Sequence, residues 1–203
     1  MRLALLLGGP LLVTEGLKER LFGFRLWAAD SGARHALALG LPLELWLGDM
    51  DSSPSWLQEA LAAPRLLLPQ DKDQTDGEAL IRKALELAPE EVLLLGAIGG
   101  RLDHTLAHLE LAFLLAEGGA RVELTDGLTR TLPLSPGEHA LPLEPEAPFS
   151  LLPFPEATLA VEGARWDLPP TRLKATTRTL ENRALGPIRV RVAEGRALLH
   201  LFP

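Results

Sequence analysis

The chain has 203 residues, of which 47% are hydrophobic and 23% charged, and it contains no cysteine. This composition is typical of a globular protein, and the lack of cysteine excludes disulfides, thiolate-bound zinc and thiol catalysis. The formal net charge of -7, with no cluster of Lys and Arg along the sequence, argues against nucleic acid as a partner.

The first apolar run, residues 3–7, predicts a buried strand rather than a signal peptide. Gly8, Gly9 and Pro10 interrupt the run, and no small-residue cleavage site follows it. No stretch of the sequence reaches the roughly 18 apolar residues of a membrane span. We therefore expect a cytoplasmic protein that has no membrane partner.

Short apolar runs alternate with amphipathic segments over residues 1–126. The predicted strands are residues 3–7, 25–28, 45–47, 65–68, 92–95 and 122–124. The predicted helices are residues 33–39, 55–62, 75–87 and 104–117. This alternation predicts an α/β domain with a mostly parallel sheet, in which ligands bind beyond the carboxyl ends of the strands.

The sequence changes in character after residue 126, where proline becomes frequent and helical periodicity fades. Short strand-like segments occur at residues 129–132, 149–152, 158–161, 176–180, 188–192 and 197–201. Short strands with turn residues between them predict a small β-sandwich. We therefore expect two domains, residues 1–126 and residues 127–203.

Aspartate is concentrated in the first domain, at predicted strand ends and helix starts. These residues are Asp30, Asp49, Asp51, Asp71, Asp73, Asp76 and Asp103. Several carboxylates at one edge of a sheet repel each other unless a cation neutralises them. Oxygen ligands suit Mg²⁺, which also shares the phosphates of a substrate. Each aspartate could instead cap a helix or form a turn, so it is their grouping that favours a metal–phosphate site.

The first aspartate cluster is Asp49-Met50-Asp51, which could place two carboxylates on one cation. Asp49 could also be the covalent nucleophile of a phosphatase, although that residue usually follows the first strand and Asp49 follows the third.

The second aspartate cluster, residues 71–78, partly resembles a calcium-binding loop. It carries Asp76 and Arg82 where such a loop needs Gly and Glu, which excludes that interpretation. Thr75 is in position to cap the following helix, with Glu78 at the second position of a capping box.

The third cluster, residues 96–104, is rich in glycine. Gly96, Gly99 and Gly100 would let backbone amides approach phosphate groups closely. Arg101 could bind phosphate oxygens through two hydrogen bonds, and Asp103 could bind a metal or accept a proton. The sequence contains no P-loop, so any phosphate site must be built differently.

His104 and His108 have the spacing of zinc ligands on one helix face. The sequence offers no third ligand and lacks the glutamate of a metalloprotease helix, which argues against zinc.

Taken in order, residues 29–33, 48–52, 71–78 and 96–104 resemble the motifs of the thiamine pyrophosphokinase family. Residues 150–153, 163–168 and 179–182 resemble the second domain of that family less closely. Glu181 departs from the usual Ser-x-Ser-Asn stretch, and His108 stands where the family usually has Asn. The resemblance implies a three-layer α/β/α catalytic domain followed by a β-sandwich that helps to bind thiamine. It also implies a homodimer whose active sites lie between one chain's catalytic domain and its partner's sandwich.

The resemblance further implies transfer of a diphosphate from ATP to the hydroxyl of thiamine, by in-line attack at the β-phosphorus with AMP leaving. Mg²⁺ would be held by Asp49, Asp51, Asp71 and Asp76. The nucleotide would be bound by Asp30, Gly32, Lys72, Asp73, Thr75, Gly99, Gly100, Arg101 and His104. Asp103 would orient or deprotonate the hydroxyl. Thiamine would contact Trp166, Thr179 and Asn182.

Trp166 could stack on the flat, cationic rings of thiamine, or it could simply fill the core of the second domain. Three other functions remain open at this point: a pyrophosphokinase for another alcohol such as a hydroxymethylpterin, a nucleotide- or metal-binding module without turnover, and a phosphatase acting through Asp49.

Overall fold

The structure, a computed structural model, describes residues 1–174 and 176–203. The chain divides into two compact units, Met1–Gly127 and Leu128–Pro203. Within the described ranges, no helix is both long and apolar enough to cross a membrane.

The first unit is built on a parallel sheet. Its strands are β1 (Arg2–Leu6), β2 (Arg25–Ala29), β3 (Leu45–Gly48), β4 (Arg65–Leu67), β5 (Glu91–Leu95) and β6 (Arg121–Thr125). They lie in the order β6-β5-β1-β2-β3-β4, and every adjacent pair is parallel. The six strands predicted for this region are therefore confirmed, and their carboxyl ends share one edge of the sheet.

The helices of this unit are α1 (Glu15–Arg20), α2 (Arg34–Leu39), α3 (Ser55–Ala60), α4 (Asp76–Leu85) and α5 (Leu102–Glu117). A 3₁₀ turn, Asp30–Ala33, leads into α2. All four predicted helices are confirmed, and α1 was not predicted. It begins where the Thr14 side chain accepts a hydrogen bond from the Leu17 N–H at 3.1 Å, and within it only Leu17 is buried.

Both faces of the parallel sheet are covered. On one face Ala4 and Leu6 pack in a single cluster with residues of α1, α2 and α3 such as Leu17 and Leu57. Leu5 points the other way, because side chains alternate along a strand, and it too is fully buried. Burial on both faces explains why strands such as β1 are apolar after their first residue.

The second unit contains β7 (Arg130–Leu134), β8 (Gly137–Leu141), β9 (Pro148–Ala164), β10 (Leu168–Lys174) and β11 (Asn182–Leu201). β11 pairs with β7, β8 and β9, and β9 also pairs with β10. Apolar side chains such as Phe149, Leu159, Val190 and Leu199 form its core.

The strand predictions for the second unit need three corrections. Residues 149–152 and 158–161 belong to one long strand, β9, and residues 188–192 and 197–201 belong to β11. The strand expected at residues 176–180 is wrong, because these residues form a turn before β11. Strands β8 and β10 were not predicted.

Candidate functional site

A cleft of about 820 Å³ opens at the carboxyl edge of the parallel sheet. Segments that follow β1, β2, β3, β4 and β5 line it, together with the starts of α4 and α5. The lining residues are Leu7, Gly8, Gly9, Pro10, Ala29, Asp30, Ser31, Arg34, Asp49, Asp51, Ser52, Gln70, Lys72, Gln74, Thr75, Asp76, Gly77, Gly96, Ala97, Gly100, Arg101, His104, Thr105 and His108.

Asp30 is fixed in the floor of this cleft directly after β2. Its φ of 41° lies in the left-handed region, which is costly for a residue with a side chain. The surrounding structure holds it there: Ser53 Oγ donates to Asp30 Oδ1 at 2.7 Å, and Ser52 Oγ donates to Oδ2. The Trp46 indole N–H donates to the Asp30 main-chain oxygen at 2.9 Å. The carboxylate is thus held in one orientation.

Asp49 and Asp51 follow β3 in a tight turn. The Asp51 N–H donates to Asp49 Oδ1 at 3.1 Å, and Met50 between them has a φ of 65°. This turn breaks the alternation of an extended strand and brings the two carboxylates together. One oxygen from each of Asp30, Asp49 and Asp51 lies within 4.8 Å of the others. The charge of Asp49 raises the pKa of Asp51, as expected for crowded carboxylates.

Lys72 lies between two of the cleft's carboxylates. Its Nζ is 2.8 Å from Asp49 Oδ2 and 3.2 Å from Asp76 Oδ1. The hydrogen bond to Lys72 lowers the pKa of Asp49, and the same bond raises the pKa of Lys72. The Lys72 ammonium group therefore neutralises part of the negative charge of Asp49 and Asp76.

Asp76, the first residue of α4, has a poorly satisfied carboxylate. Among the residues that the structure describes, its buried Oδ1 has no hydrogen-bond partner of good geometry, and Lys72 Nζ lies 3.2 Å away as an ion-pair partner. Burial raises the pKa of Asp76 despite that neighbouring charge. The helix start itself is as predicted, since Thr75 Oγ1 accepts from the Glu78 N–H at 3.1 Å.

The glycine-rich segment after β5 reaches the cleft with part of its residues. Gly100, Arg101 and His104 line the cleft, whereas Gly99 and Asp103 are not among its lining residues. Arg101 is paired with Asp103 at 2.5 Å and 3.1 Å, and both side chains are exposed. The hydrogen bonds from Arg101 lower the pKa of Asp103 to about 2.

His108 is a buried residue of the cleft wall. Its Nδ1 lies 2.9 Å from the Ala97 carbonyl oxygen, so that nitrogen carries the proton in the neutral ring. Burial lowers its pKa. Among the residues that the structure describes, neither His104 nor His108 belongs to a group of three metal-binding side chains.

Five residues predicted to act at this site lie outside the cleft lining, Gly99 and Asp103 among them. Asp71 and Asp73 are exposed. Gly32 is buried beneath the cleft, where a Cβ would overlap the main-chain oxygen of Leu6, so its glycine serves the packing of the turn on β1.

Sequence reasoning did not select Arg34, Ser52 or Ser53 as site residues. Ser52 and Ser53 hold Asp30, and Arg34 lines the cleft. In the sequence, these residues could be recognised only by their positions. Arg34 immediately follows the turn that begins at Asp30, and the two serines immediately follow Asp51.

The three residues predicted to bind thiamine line one smaller cleft, of about 490 Å³, in the second unit. Trp166 is 58% exposed, which excludes the interpretation that it fills the core. Asn182 supports it, because Oδ1 accepts from the Trp166 N–H at 3.2 Å and Nδ2 donates to the Trp166 carbonyl at 2.9 Å. Thr179 is buried and donates to the Leu151 carbonyl oxygen at 2.5 Å. Asn182 therefore holds the loop that presents Trp166, and Thr179 ties the turn before β11 to β9.

Comparison with known proteins finds similarity to thiamin pyrophosphokinases in sequence and in structure. The family model of the thiamin pyrophosphokinase catalytic domain matches residues 25–124. A thiamine pyrophosphokinase of Bacillus subtilis (strain 168) is 30% identical over 155 residues, which are 73% of this chain and 72% of that protein. The crystal structure of thiamine pyrophosphokinase from Bacillus subtilis superimposes with a TM-score of 0.85 at 21% identity, covering 100% of this chain and 99% of that one. A thiamin pyrophosphokinase family protein from Enterococcus faecalis gives a TM-score of 0.82 at 25% identity, covering 100% and 99%.

Proposed function

We propose that this chain, which belongs to the thiamin pyrophosphokinase family, performs the family's transfer of pyrophosphate from ATP to thiamine in the acidic cleft of its first unit. The observation that carries this assignment is the convergence of Asp30, Asp49 and Asp51 at the carboxyl edge of the sheet. Family membership favours thiamine over a pterin alcohol as the acceptor.

We further propose a three-layer α/β/α catalytic domain and a β-sandwich that binds thiamine. The covered faces of the parallel sheet and the separate apolar core of the second unit support this layout. A cytoplasmic homodimer, with each active site shared between protomers, completes the proposal.

The acidic cleft suits a divalent cation. The donor set is made only of oxygen atoms, three of which lie within 4.8 Å of one another, and the buried Asp76 Oδ1 has no hydrogen-bond partner of good geometry among the described residues. Mg²⁺ would be held by Asp30, Asp49, Asp51 and Asp76. The side chain of Asp71 is exposed and does not line the cleft, so a metal-binding role for Asp71 rests on the sequence alone. When bound, Mg²⁺ would neutralise phosphate charge and polarise the β-phosphorus.

The reaction forms a bond between the thiamine oxygen and the β-phosphorus and breaks the bond from that phosphorus to the α–β bridging oxygen. AMP leaves with that oxygen, and the thiamine hydroxyl releases its proton to water. Transfers of this kind need positioning and charge neutralisation more than covalent help. Lys72 and Arg101 would bind phosphate oxygens, exchanging their present carboxylate partners for the substrate. While Arg101 is paired with it, Asp103 has a pKa lowered to about 2 and is a poor proton acceptor, so its role in orienting or deprotonating the hydroxyl stays a prediction.

Trp166 would bind the acceptor. Its exposed ring faces the cleft of the second unit and can stack on the flat, positively charged rings of thiamine.

Chromatography of the products tests this assignment. The chain is incubated with ATP and Mg²⁺, and with thiamine or a hydroxymethylpterin as acceptor. AMP formed in step with thiamine diphosphate, with no product from the pterin, supports it. ADP or inorganic phosphate in place of AMP would contradict attack at the β-phosphorus.

A further inference from the structure

Arg34 differs from the other two long cationic side chains of the cleft, Lys72 and Arg101. Lys72 is paired with Asp49 and Asp76, and Arg101 is paired with Asp103. Arg34 also lines the cleft and is exposed there. Among the residues that the structure describes, no carboxylate lies within ion-pair distance of it; its partners are carbonyl oxygens.

Those carbonyl oxygens hold the guanidinium in place. Arg34 Nη2 donates to the Gly8 oxygen at 2.6 Å and to the Gly9 oxygen at 3.2 Å. The segment that carries them is itself fixed, because the Gly9 N–H donates to the Gly96 oxygen at 3.0 Å and a Cβ on Gly9 would overlap that oxygen. His35 adds a hydrogen bond from Nε2 to the Gly9 oxygen at 2.9 Å.

Both of these hydrogen bonds come from one guanidinium nitrogen of Arg34, Nη2. Within the described part of the chain, Nε and Nη1 of Arg34 have no hydrogen-bond partner. An arginine that lines a cleft, and whose charge no nearby carboxylate neutralises, is well suited to bind a phosphate oxygen. Unlike Lys72 and Arg101, it would bind phosphate without first breaking an ion pair.

We propose that Arg34 binds the triphosphate of ATP. This inference rests on the proposed function, since it takes the acidic cleft as the nucleotide site. Arg34 thereby supplies positive charge to a cleft whose carboxylates would otherwise repel the substrate.

The test compares Arg34→Gln and Arg34→Lys with Arg121→Gln. Arg121 is an exposed arginine with one ion pair, to Glu91, and it begins β6 at the edge of the sheet opposite the cleft. Calorimetry measures the binding of three probes: ATP with Mg²⁺, inorganic triphosphate with Mg²⁺, and adenosine. Thermal unfolding of each variant shows whether it is folded.

Arg34→Gln should weaken the binding of ATP and of inorganic triphosphate roughly ten- to hundred-fold, as expected for loss of hydrogen bonds to a charged group. Adenosine binding should be unchanged. Arg34→Lys keeps the charge and loses the planar fork, so its loss should be smaller, and Arg121→Gln should stay within about twofold of the parent because exposed distant charges are screened.

Two results would overturn the inference. Equal weakening of ATP and adenosine would show that Arg34 only holds the Gly8–Gly9 segment, and unchanged triphosphate binding in Arg34→Gln would show that it binds no phosphate. If Arg34→Gln does not fold, Arg34→Lys decides, since the proposal requires weaker triphosphate binding with adenosine unchanged. The proposed function fails separately: a parent chain that binds ATP through Arg34 but gives no product with thiamine contradicts the activity alone.

Discussion

At the scale of one residue, the ionised carboxylate of Asp76 lowers the stability of the folded chain. A folded-state pKa above the usual value means that the carboxylate form costs stability, so this cost is present at neutral pH and is relieved as the pH falls through the raised pKa. A cation bound to Asp76 would offset the same cost.

Asp76→Asn should therefore raise the melting temperature of the metal-free chain at neutral pH and reduce the additional stabilisation on adding Mg²⁺. Differential scanning calorimetry with and without Mg²⁺ measures both quantities. The control is Asp73→Asn, an exposed carboxylate close to Asp76 in sequence, which should change neither. An Asp76→Asn variant that Mg²⁺ stabilises as strongly as the parent would remove Asp76 from the metal site.

Trp166 can be tested against a matched residue. Trp166→Ala should raise the KM for thiamine about tenfold or more, because it removes the ring that we propose stacks on the substrate, and should leave the KM for ATP unchanged. Trp56 in α3 is 59% exposed, nearly the same as the 58% of Trp166, so Trp56→Ala controls for the loss of an exposed indole. Equal steady-state constants for the two variants would contradict the thiamine-binding role.

The sequence predicted part of the site at this scale. Asp30 and Asp49 follow neighbouring parallel strands, so their approach can be deduced from strand order. The outward position of Asp71 cannot be deduced in the same way, because residues 68–75 form an irregular segment without periodicity. Ser52 and Ser53 follow β3 and donate hydrogen bonds to Asp30, which follows β2. Residue spacing alone does not reveal this contact between the ends of two strands.

Among the elements, the strands of the first unit were predictable and those of the second largely were not. Burial on both faces makes a parallel strand a continuous apolar run, which is visible in the sequence. β10 contains Pro169 and Pro170, which argue against a strand. Within the described part of the chain, however, β10 pairs with β9 alone, and the edge of a sheet tolerates proline. Residues 176–180 resemble a strand because of their threonines, but they form a turn. Thr176 Oγ1 accepts a hydrogen bond from the Arg178 N–H, and Thr179 Oγ1 donates one to the Leu151 carbonyl oxygen.

The turn between β2 and α2 depends on one glycine, which gives a stability prediction for that element. Gly32→Ala should lower the free energy of unfolding by about 2 kcal/mol or more, because the added Cβ overlaps the Leu6 oxygen of β1. Gly16→Ala is the control: Gly16 lies in α1 with no atom within 4 Å of an added Cβ, so alanine should stabilise the helix by about 0.5–1 kcal/mol. Urea denaturation measures both, and a Gly32→Ala variant as stable as the parent would show that the turn can move away from β1.

For the whole molecule, the proposed homodimer makes complementation possible. Under the proposal, Asp49→Ala should remove the catalytic function of the first unit, and Trp166→Ala should weaken the thiamine site of the second. If each active site joins two protomers, a refolded mixture of the two variants should be more active than either alone, because some mixed dimers contain one intact site. Size-exclusion chromatography with turnover assays of the mixture measures this, and a mixture no more active than the average of its components would indicate that each chain forms its own site.

The most direct test of the account measures AMP formation with thiamine while the Mg²⁺ concentration is varied, for the parent chain, Asp49→Asn and Glu59→Gln. Asp49 is one of the three converging carboxylates, and Glu59 is an exposed carboxylate outside the cleft lining. We predict Mg²⁺-dependent AMP and thiamine diphosphate in equal amounts from the parent and Glu59→Gln, and a loss of turnover of about a hundredfold or more in Asp49→Asn, as for removal of a central electrostatic group. Turnover in Asp49→Asn equal to the parent, with the same Mg²⁺ dependence, would contradict the assignment of the acidic cleft as the catalytic site.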